Sequence, residues 1–238
     1  MATMLVGGAL LALAGFAPAS RAEAGTWNGE VALSSQLVDR GMAVTAPTPT
    51  LQGALYWTPS PGWSLGLSGG AEMRSPGRLV QAIAEASHYW AISTDWQMQA
   101  DLLYYSRPSG EGRRHPGRME AMVGWTYRDA LAFNLSAFRA TSGRNRQWHG
   151  AADLDLHWPL AKHFALSVGV GIAQSPAAFY GRYDYGHANH YSYGQAGLLW
   201  SRAPWNIEID RVATSAGAAH PPGSPGTSPW MATISLAF

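Results

Sequence analysis

The sequence predicts an all-β protein, a transmembrane antiparallel up-and-down β-barrel of twelve strands, with ten as the alternative. Three observations predict it. The chain ends on Trp230-Met231-Ala232-Thr233-Ile234-Ser235-Leu236-Ala237-Phe238, which puts Trp230, Ala232, Ile234, Leu236 and Phe238 on one face of a strand. From Thr26 onward, segments with the same period of two recur at the roughly 9–11 residues that a tilted membrane strand needs. The connections between them alternate short and long, as in a barrel with tight turns at one rim and loops at the other.

Composition agrees. Charged residues make up 13 % of the 238, against about 25 % in soluble domains. Aromatics make up 11 %, led by 11 Trp, and Gly and Pro are plentiful. This balance suits short strands with an aromatic girdle. A net charge of +1 leaves no nucleic-acid footprint. With no cysteine, the chain has neither a disulfide framework nor a thiolate metal site. No cofactor or metal is expected.

Residues 1–24 read as a signal peptide. Leu5 to Phe16 is apolar but too short to span a bilayer as a helix, and Ala22-Glu23-Ala24 resembles a cleavage site. A genuine N-terminal helix is the alternative. Residues 25–238 are assigned to the barrel.

The predicted strands are 27–40, 50–58, 63–74, 81–92, 96–106, 118–127, 131–140, 147–157, 163–173, 190–200, 205–212 and 229–238. In the first, strand parity puts Glu30, Gln36 and Arg40 on the inward face. The third sets Trp63, Leu65, Leu67, Ala71 and Met73 against Ser64, Ser68, Glu72 and Arg74. The fifth sets Trp96, Met98, Ala100, Leu102 and Tyr104 against Gln97, Gln99 and Asp101. In the eighth, Trp148, Ala152, Leu154, Leu156 and Trp158 oppose His149, Asp153, Asp155 and His157. The short turns are Pro59-Ser60-Pro61-Gly62, Thr94-Asp95, Arg128-Asp129, Pro159-Leu160-Ala161 and Arg202-Ala203-Pro204. The longer connections include Ser106 to Gly117, Gln174 to Asn189 and Ala213 to Ser228. Both ends of the barrel therefore fall at the short-turn rim. The last strand is expected to close the barrel against the opening strand that carries Arg40-Gly41. Trp and Tyr end many apolar faces at the short turns, where a membrane interface would lie. The apolar face is accordingly assigned to lipid and the polar face to the lumen.

Strand parity makes Glu30, Arg40, Gln52, Tyr56, Glu72, Arg74, Glu85, Gln99, Asp101, Glu120, Asp153, Asp155, His157, Glu208 and Asp210 the expected pore-lining residues. Carboxylates outnumber arginines, so a wet lumen would favour cations. Same-face neighbours on a strand stand about 6.6–6.8 Å apart, too far for His149, Asp153, Asp155 and His157 to grip one metal without adjacent strands. Asp184 to Ser192 holds a His187, His190 and Ser192 group that raises a surface lipid hydrolase as a third reading. Arg107, Arg113, Arg114, Arg144 and Arg146 fall in the long loops, where a guanidinium can meet lipopolysaccharide phosphate.

The first hairpin is more specific. Ser34-Ser35-Gln36-Leu37-Val38-Asp39-Arg40-Gly41 leads into Pro49-Thr50-Leu51-Gln52-Gly53-Ala54-Leu55-Tyr56. This resembles the opening of the TorF-type family of outer-membrane porins, whose first strand ends in Arg-Gly. Asp39 stands where that family has an aromatic. The resemblance implies a Gram-negative outer-membrane barrel. The ending on Phe238 is similar to the strand by which the barrel-assembly machinery recognises its clients.

The sequence thus leads to a non-enzymatic outer-membrane porin for passive diffusion of small hydrophilic solutes. The alternative is a structural or adhesion barrel with a plugged lumen. Expected partners are outer-membrane lipid, lipopolysaccharide, the assembly machinery and small solutes.

Overall fold

The computed structural model describes residues 24–74, 79–108, 117–142, 146–174, 190–215 and 227–238. Twelve antiparallel strands close a barrel, each hydrogen-bonded to its neighbours in sequence. In chain order they are β1 (Thr26–Ser34), β4 (Thr50–Thr58), β5 (Trp63–Glu72), β6 (Leu79–Ala91), β7 (Trp96–Ser106), β8 (Arg118–Tyr127), β9 (Leu131–Ala140), β10 (His149–Ala161), β11 (Phe164–Gln174), β12 (His190–Arg202), β13 (Trp205–Thr214) and β14 (Trp230–Ala237). Two further short strands, β2 (Val38–Asp39) and β3 (Met42–Ala43), pair only with each other. The twelve-strand count stands and the ten-strand alternative falls.

Closure is direct. Glu30, Val31, Ala32, Leu33 and Ser34 of β1 pair with Ala237, Leu236, Ser235, Ile234 and Thr233 of β14. Phe238 adds two backbone bonds to Gly29, its N–H donating at 2.9 Å and its carbonyl accepting at 2.8 Å. A Cβ at Gly29 would stand 2.5 Å from the far edge of the exposed Phe238 ring, so the glycine lets that ring lie against β1.

The faces follow the alternation. Leu33, Leu55, Leu67, Leu102, Leu135, Leu154, Val170 and Ile209 are exposed on the outside. In water such a surface would be costly; against acyl chains it is matched. Trp27, Trp57, Trp63, Trp90, Trp96, Trp158 and Trp205 also project outward, at strand ends beside the short turns. Trp148 and Trp230 mark the opposite rim. His88 faces outward in contact with Trp63 and Trp90, with ring centroids 4.6 and 4.2 Å away.

Two expectations need correction. Pro159-Leu160-Ala161 is not a turn: β10 runs through it to Ala161, with a register shift between Pro159 and Ala161, and the chain reverses at 162–163. The register shift lets a proline, which cannot donate to the ladder, sit in the strand. The second concerns 27–40, which is not one strand. β1 ends at Ser34, and residues 35–49 leave the wall and fold into the lumen as the β2–β3 hairpin. Arg40-Gly41 is therefore not part of the strand that pairs with the C-terminus.

The hairpin turn explains its sequence. Asp39 pairs with Met42, leaving a two-residue turn with φ of 48° at Arg40 and 72° at Gly41. Positive φ at both central residues is the hairpin geometry that matches strand twist, and it favours glycine in the second place. The hairpin supplies much of its own bonding. Val44 N–H donates to the Leu37 carbonyl at 2.8 Å, Gln36 Nε2 to the Thr45 carbonyl at 2.8 Å, and Leu37 N–H to Thr45 Oγ1 at 3.0 Å.

Its apolar side chains cover the inner wall in three directions. Leu37 shares a cluster with Ile83, Leu103, Tyr105 and Met122; Val38 with Val212 and Met231; and Met42 with Phe138, Ala151, Ala173 and Tyr191. Burying each such side chain is worth roughly 1.5–3 kcal/mol. These three contacts seat the hairpin inside the barrel.

Candidate functional site: the lumen and its inward hairpin

Inner-face residues form two layers. The outer layer is built around the hairpin tip. Arg40 reaches β8, β9 and β10, which lie across the barrel from β1 in the strand order. Its guanidinium pairs with Glu120, donates to Ser136 Oγ at 2.9 Å and stands 3.8 Å from Asp153 Oδ2. Asp39 receives Arg118 Nη1 at 2.8 Å and Arg107 Nη2 at 3.2 Å. Arg118 also meets Glu120 at 3.2 Å and lies 3.8 Å over the Tyr105 ring. Tyr193 donates its hydroxyl to Asp153. Three carboxylates thus face three guanidiniums, two of the six contributed by the hairpin.

The charges on the hairpin are held by this arrangement. Burial disfavours ionised Asp39, but Arg118, Arg40 and Arg107 outweigh it and hold the carboxyl below its usual range. A lowered folded pKa means that the Asp39 contribution is present at neutral pH. It is lost only as pH falls from about the ordinary aspartate value through the depressed folded one. Burial likewise opposes charge on Arg40, and Glu120, Asp153 and Asp39 outweigh it, raising its pKa further.

The second layer lies at mid-strand. Glu30, Glu85, Asp101, Asp155 and Asp210 face inward from β1, β6, β7, β10 and β13, with Glu208 one inward position nearer the short turns. Among the described residues, no ion pair of the outer layer or the rims includes any of these five acids. Gln99 Nε2 donates to Asp101 Oδ1 at 2.6 Å. Tyr56 interacts electrostatically with Glu85, Glu30 and Asp101 and lies over Gly66, where a Cβ would meet its ring at 2.6 Å. Small residues opposite large polar ones recur in this layer. Gly169 faces Asp155, and Gly197 faces Asp210.

The structure places most sequence-predicted lumen residues on the inner face: Glu30, Gln52, Tyr56, Glu72, Glu85, Gln99, Asp101, Glu120, Asp153, Asp155, His157, Glu208 and Asp210. Arg40 is inside the barrel, but on the hairpin rather than on the wall. Arg74 departs from its expected place: β5 ends at Glu72, and Arg74 is exposed in the following loop. His157 is 3.5 Å from Ser167 Oγ, and Gln52 donates to Ser34 Oγ at 2.8 Å.

Of the loop arginines, Arg107 turns onto Asp39 and Arg146 is exposed. Arg113, Arg114 and Arg144 lie outside the described residues, as does His187. Ser192 Oγ donates to Ser215 Oγ at 3.3 Å, and His190 lies 3.4 Å from Gln174. Sequence reading missed Arg139 and Arg211, outward-facing at the long-loop ends of β9 and β13. Each holds its guanidinium over a tryptophan, 5.0 Å from Trp148 and 5.8 Å from Trp230. Among the described strands, no carboxylate occupies an outward position. Cations in an otherwise apolar outer face were the available signal. Sequence reading also missed the hairpin: the glycine of Arg40-Gly41 hints at a turn, but Arg-Gly is a weaker signal than Asn-Gly or Asp-Gly.

No protein-family model matches the chain, and no curated protein matches it. Solved structures do. A chain from work on the in-meso crystallization of membrane proteins aligns with a TM-score of 0.56 at 12 % identity, over 89 % of this chain and 83 % of that one. The NanC porin aligns with a TM-score of 0.53 at 12 % identity, over 90 % and 99 %. The KdgM porin aligns with a TM-score of 0.51 at 8 % identity, over 89 % and 98 %. At such identities the likeness establishes a shared barrel fold.

Proposed function

We propose that the protein is an outer-membrane channel for passive diffusion of small hydrophilic solutes, cationic or neutral rather than anionic. The mid-strand layer carries this reading. Glu30, Glu85, Asp101, Asp155 and Asp210 give the inner face a concentration of carboxyl groups that the arginines of the outer layer do not pair with. A ring of carboxylates in a low-dielectric wall attracts cations and substitutes for part of their hydration. The KdgM porin has been solved with disordered oligogalacturonate, a polyanion. The carboxylate layer here opposes such a solute. The reading includes no catalytic step.

The hairpin supports a second reading, a barrel whose lumen is plugged. Leu37, Val38, Asp39, Arg40 and Met42 are all buried inside the barrel. Replacing 36–46 by a short Gly-Ser bridge separates the two. A channel limited by the hairpin gains time-averaged conductance several-fold on its removal and already conducts with it present. A permanent plug conducts only without it.

Residues 1–24 are proposed as the export leader, and the TorF-type resemblance of residues 34–56 as common descent. The outer rim is proposed to contact lipopolysaccharide phosphate through Arg146, Arg139 and Arg211, with Arg113, Arg114 and Arg144 as further candidates. The C-terminal strand ending in Phe238 is proposed as the signal read by the assembly machinery. Removing Phe238 deletes both bonds to Gly29 and is expected to lower the folded, heat-modifiable fraction in outer membranes.

A further inference from the structure

We propose that the β2–β3 hairpin is a latched gate, closed when Arg40 docks on the far wall and open when the hairpin leaves as a unit. The proposal rests on the channel reading and adds to it a moving part. Four observations carry it.

The hairpin's backbone is bonded within itself, and outside it Gln36 Oε1 accepts from Ser228 N–H at 2.8 Å. Among the described residues, no backbone–backbone hydrogen bond joins residues 36–46 to a barrel strand; those of Val44 and Thr45 end on Leu37. Its departure therefore leaves the barrel ladder intact. The points of attachment are also fixed. Ser35 N–H bonds the Ala232 carbonyl at 2.9 Å, and the Pro49 carbonyl accepts from Met73 N–H at 2.9 Å. Everything between these two anchors lies inside the lumen or at its edge. Ala46 and Pro47 are exposed next to the second anchor.

The tip contact is ionic and can be exchanged. Asp39 and Arg40 leave together as a neutral pair, and the wall retains Arg118 and Arg107 with Glu120 and Asp153, also neutral. Arg118 already touches Glu120 at 3.2 Å, so the vacated wall keeps a partner for its acid. Finally, the seat is shaped for a tip without a side chain. A Cβ on Gly41 would stand 2.6 Å from the Tyr193 Cβ and 3.2 Å from the Thr214 Cβ. Thr227 Oγ1 donates to the Gly41 carbonyl at 3.0 Å, a strap across the closed tip.

The apolar clusters around Leu37, Val38 and Met42 make the closed state the resting one. Losing the latch then changes how often the channel opens, while the open level stays that of a barrel without the hairpin.

Full-length protein, refolded and shown folded by heat-modifiable gel mobility, would be compared in planar bilayers with Arg40→Gln, Gly41→Ala and the 36–46 replacement. Met42→Cys supplies a second readout. The chain has no other cysteine, so maleimide labelling at this buried position reports exposure of the hairpin. The gate predicts brief wild-type openings to the level of the hairpin-less barrel. It predicts at least tenfold higher open probability in R40Q and G41A. It also predicts at least tenfold faster labelling of the Met42→Cys thiol when Arg40→Gln is added. Open probability and labelling unchanged by the latch substitutions, in a wild type that conducts, would overturn the gate and leave the channel standing; a wild type that never opens while the hairpin-less barrel conducts would overturn both. A folded hairpin-less barrel that conducts nothing would overturn the channel reading and the gate with it.

Discussion

At the residue scale, the inner wall is organised by glycines facing large polar side chains. Gly197 is the tightest case. A Cβ there would collide with Asp210 Oδ1 and with the Ile209 carbonyl, and the backbone cannot move aside cheaply. Gly197→Ala is expected to destabilise the folded barrel by roughly 1–3 kcal/mol, the usual cost of overpacking. Gly53, on the outward face of β4 with Leu51 and Leu55, meets only the Glu30 carbonyl, at 4.0 Å, and Gly53→Ala is expected to be close to neutral. Urea unfolding in lipid vesicles checks the pair. Equal effects would show that wall contacts do not set these positions. Asp39 belongs to the same scale. An aspartate here gives Arg118 and Arg107 a common acceptor. Asp39→Asn leaves hydrogen-bonding capacity but removes the charge. It is expected to raise maleimide labelling of the Met42→Cys protein, though less than Arg40→Gln does, because Arg118 retains Glu120.

The element scale shows why the strands are legible in the sequence and the hairpin is not. Every barrel strand satisfies two independent patterns, alternation along its length and a turn or loop of the right class at each end. Trp96, Met98, Ala100 and Leu102 against Gln97, Gln99 and Asp101 admits one assignment, and β7 occupies the expected 96–106. Residues 35–45 do not alternate in polarity: Leu37-Val38 is an apolar pair and Asp39-Arg40 a charged one, and 36–42 are all buried. Parity counted onward from Glu30, past the point where pairing ends, extends the first strand to Arg40. Arg40-Gly41 is the contrary signal, and it reports backbone geometry rather than polarity. Arg74 departs for a related reason: parity continues past the point where pairing ends. The charged partners of Arg40 are not legible at all. Glu120, Ser136 and Asp153 lie 80 or more residues away and meet Arg40 only once the barrel closes.

At the scale of the whole molecule, outside and inside obey opposite rules. The outer face is apolar, bounded by tryptophans, and its strand positions carry arginine but no carboxylate among the described residues. Arg139 and Arg211 rest on Trp148 and Trp230 at the long-loop rim, where they are proposed to meet headgroup phosphates. The double variant R139Q/R211Q is expected to lose the stabilisation that anionic phosphate-bearing lipid gives the wild type over zwitterionic phosphatidylcholine. Thermal midpoints in the two kinds of vesicle measure this. Retention of the full difference would place the lipid contact elsewhere. The inner face carries the carboxyl groups, Glu120 and Asp153 paired with arginines in the outer layer and a mid-strand layer that those arginines do not pair with, beneath a hairpin whose charges are balanced.

The carboxylate layer is the centre of the functional account, and ion selectivity tests it most directly. The reversal potential of single channels in a potassium chloride gradient should show cation preference in the refolded wild type, reduced when Glu85→Gln and Asp101→Asn are combined. Anion preference in the wild type, or no unitary conductance from protein shown to be folded even after replacement of residues 36–46, would contradict it.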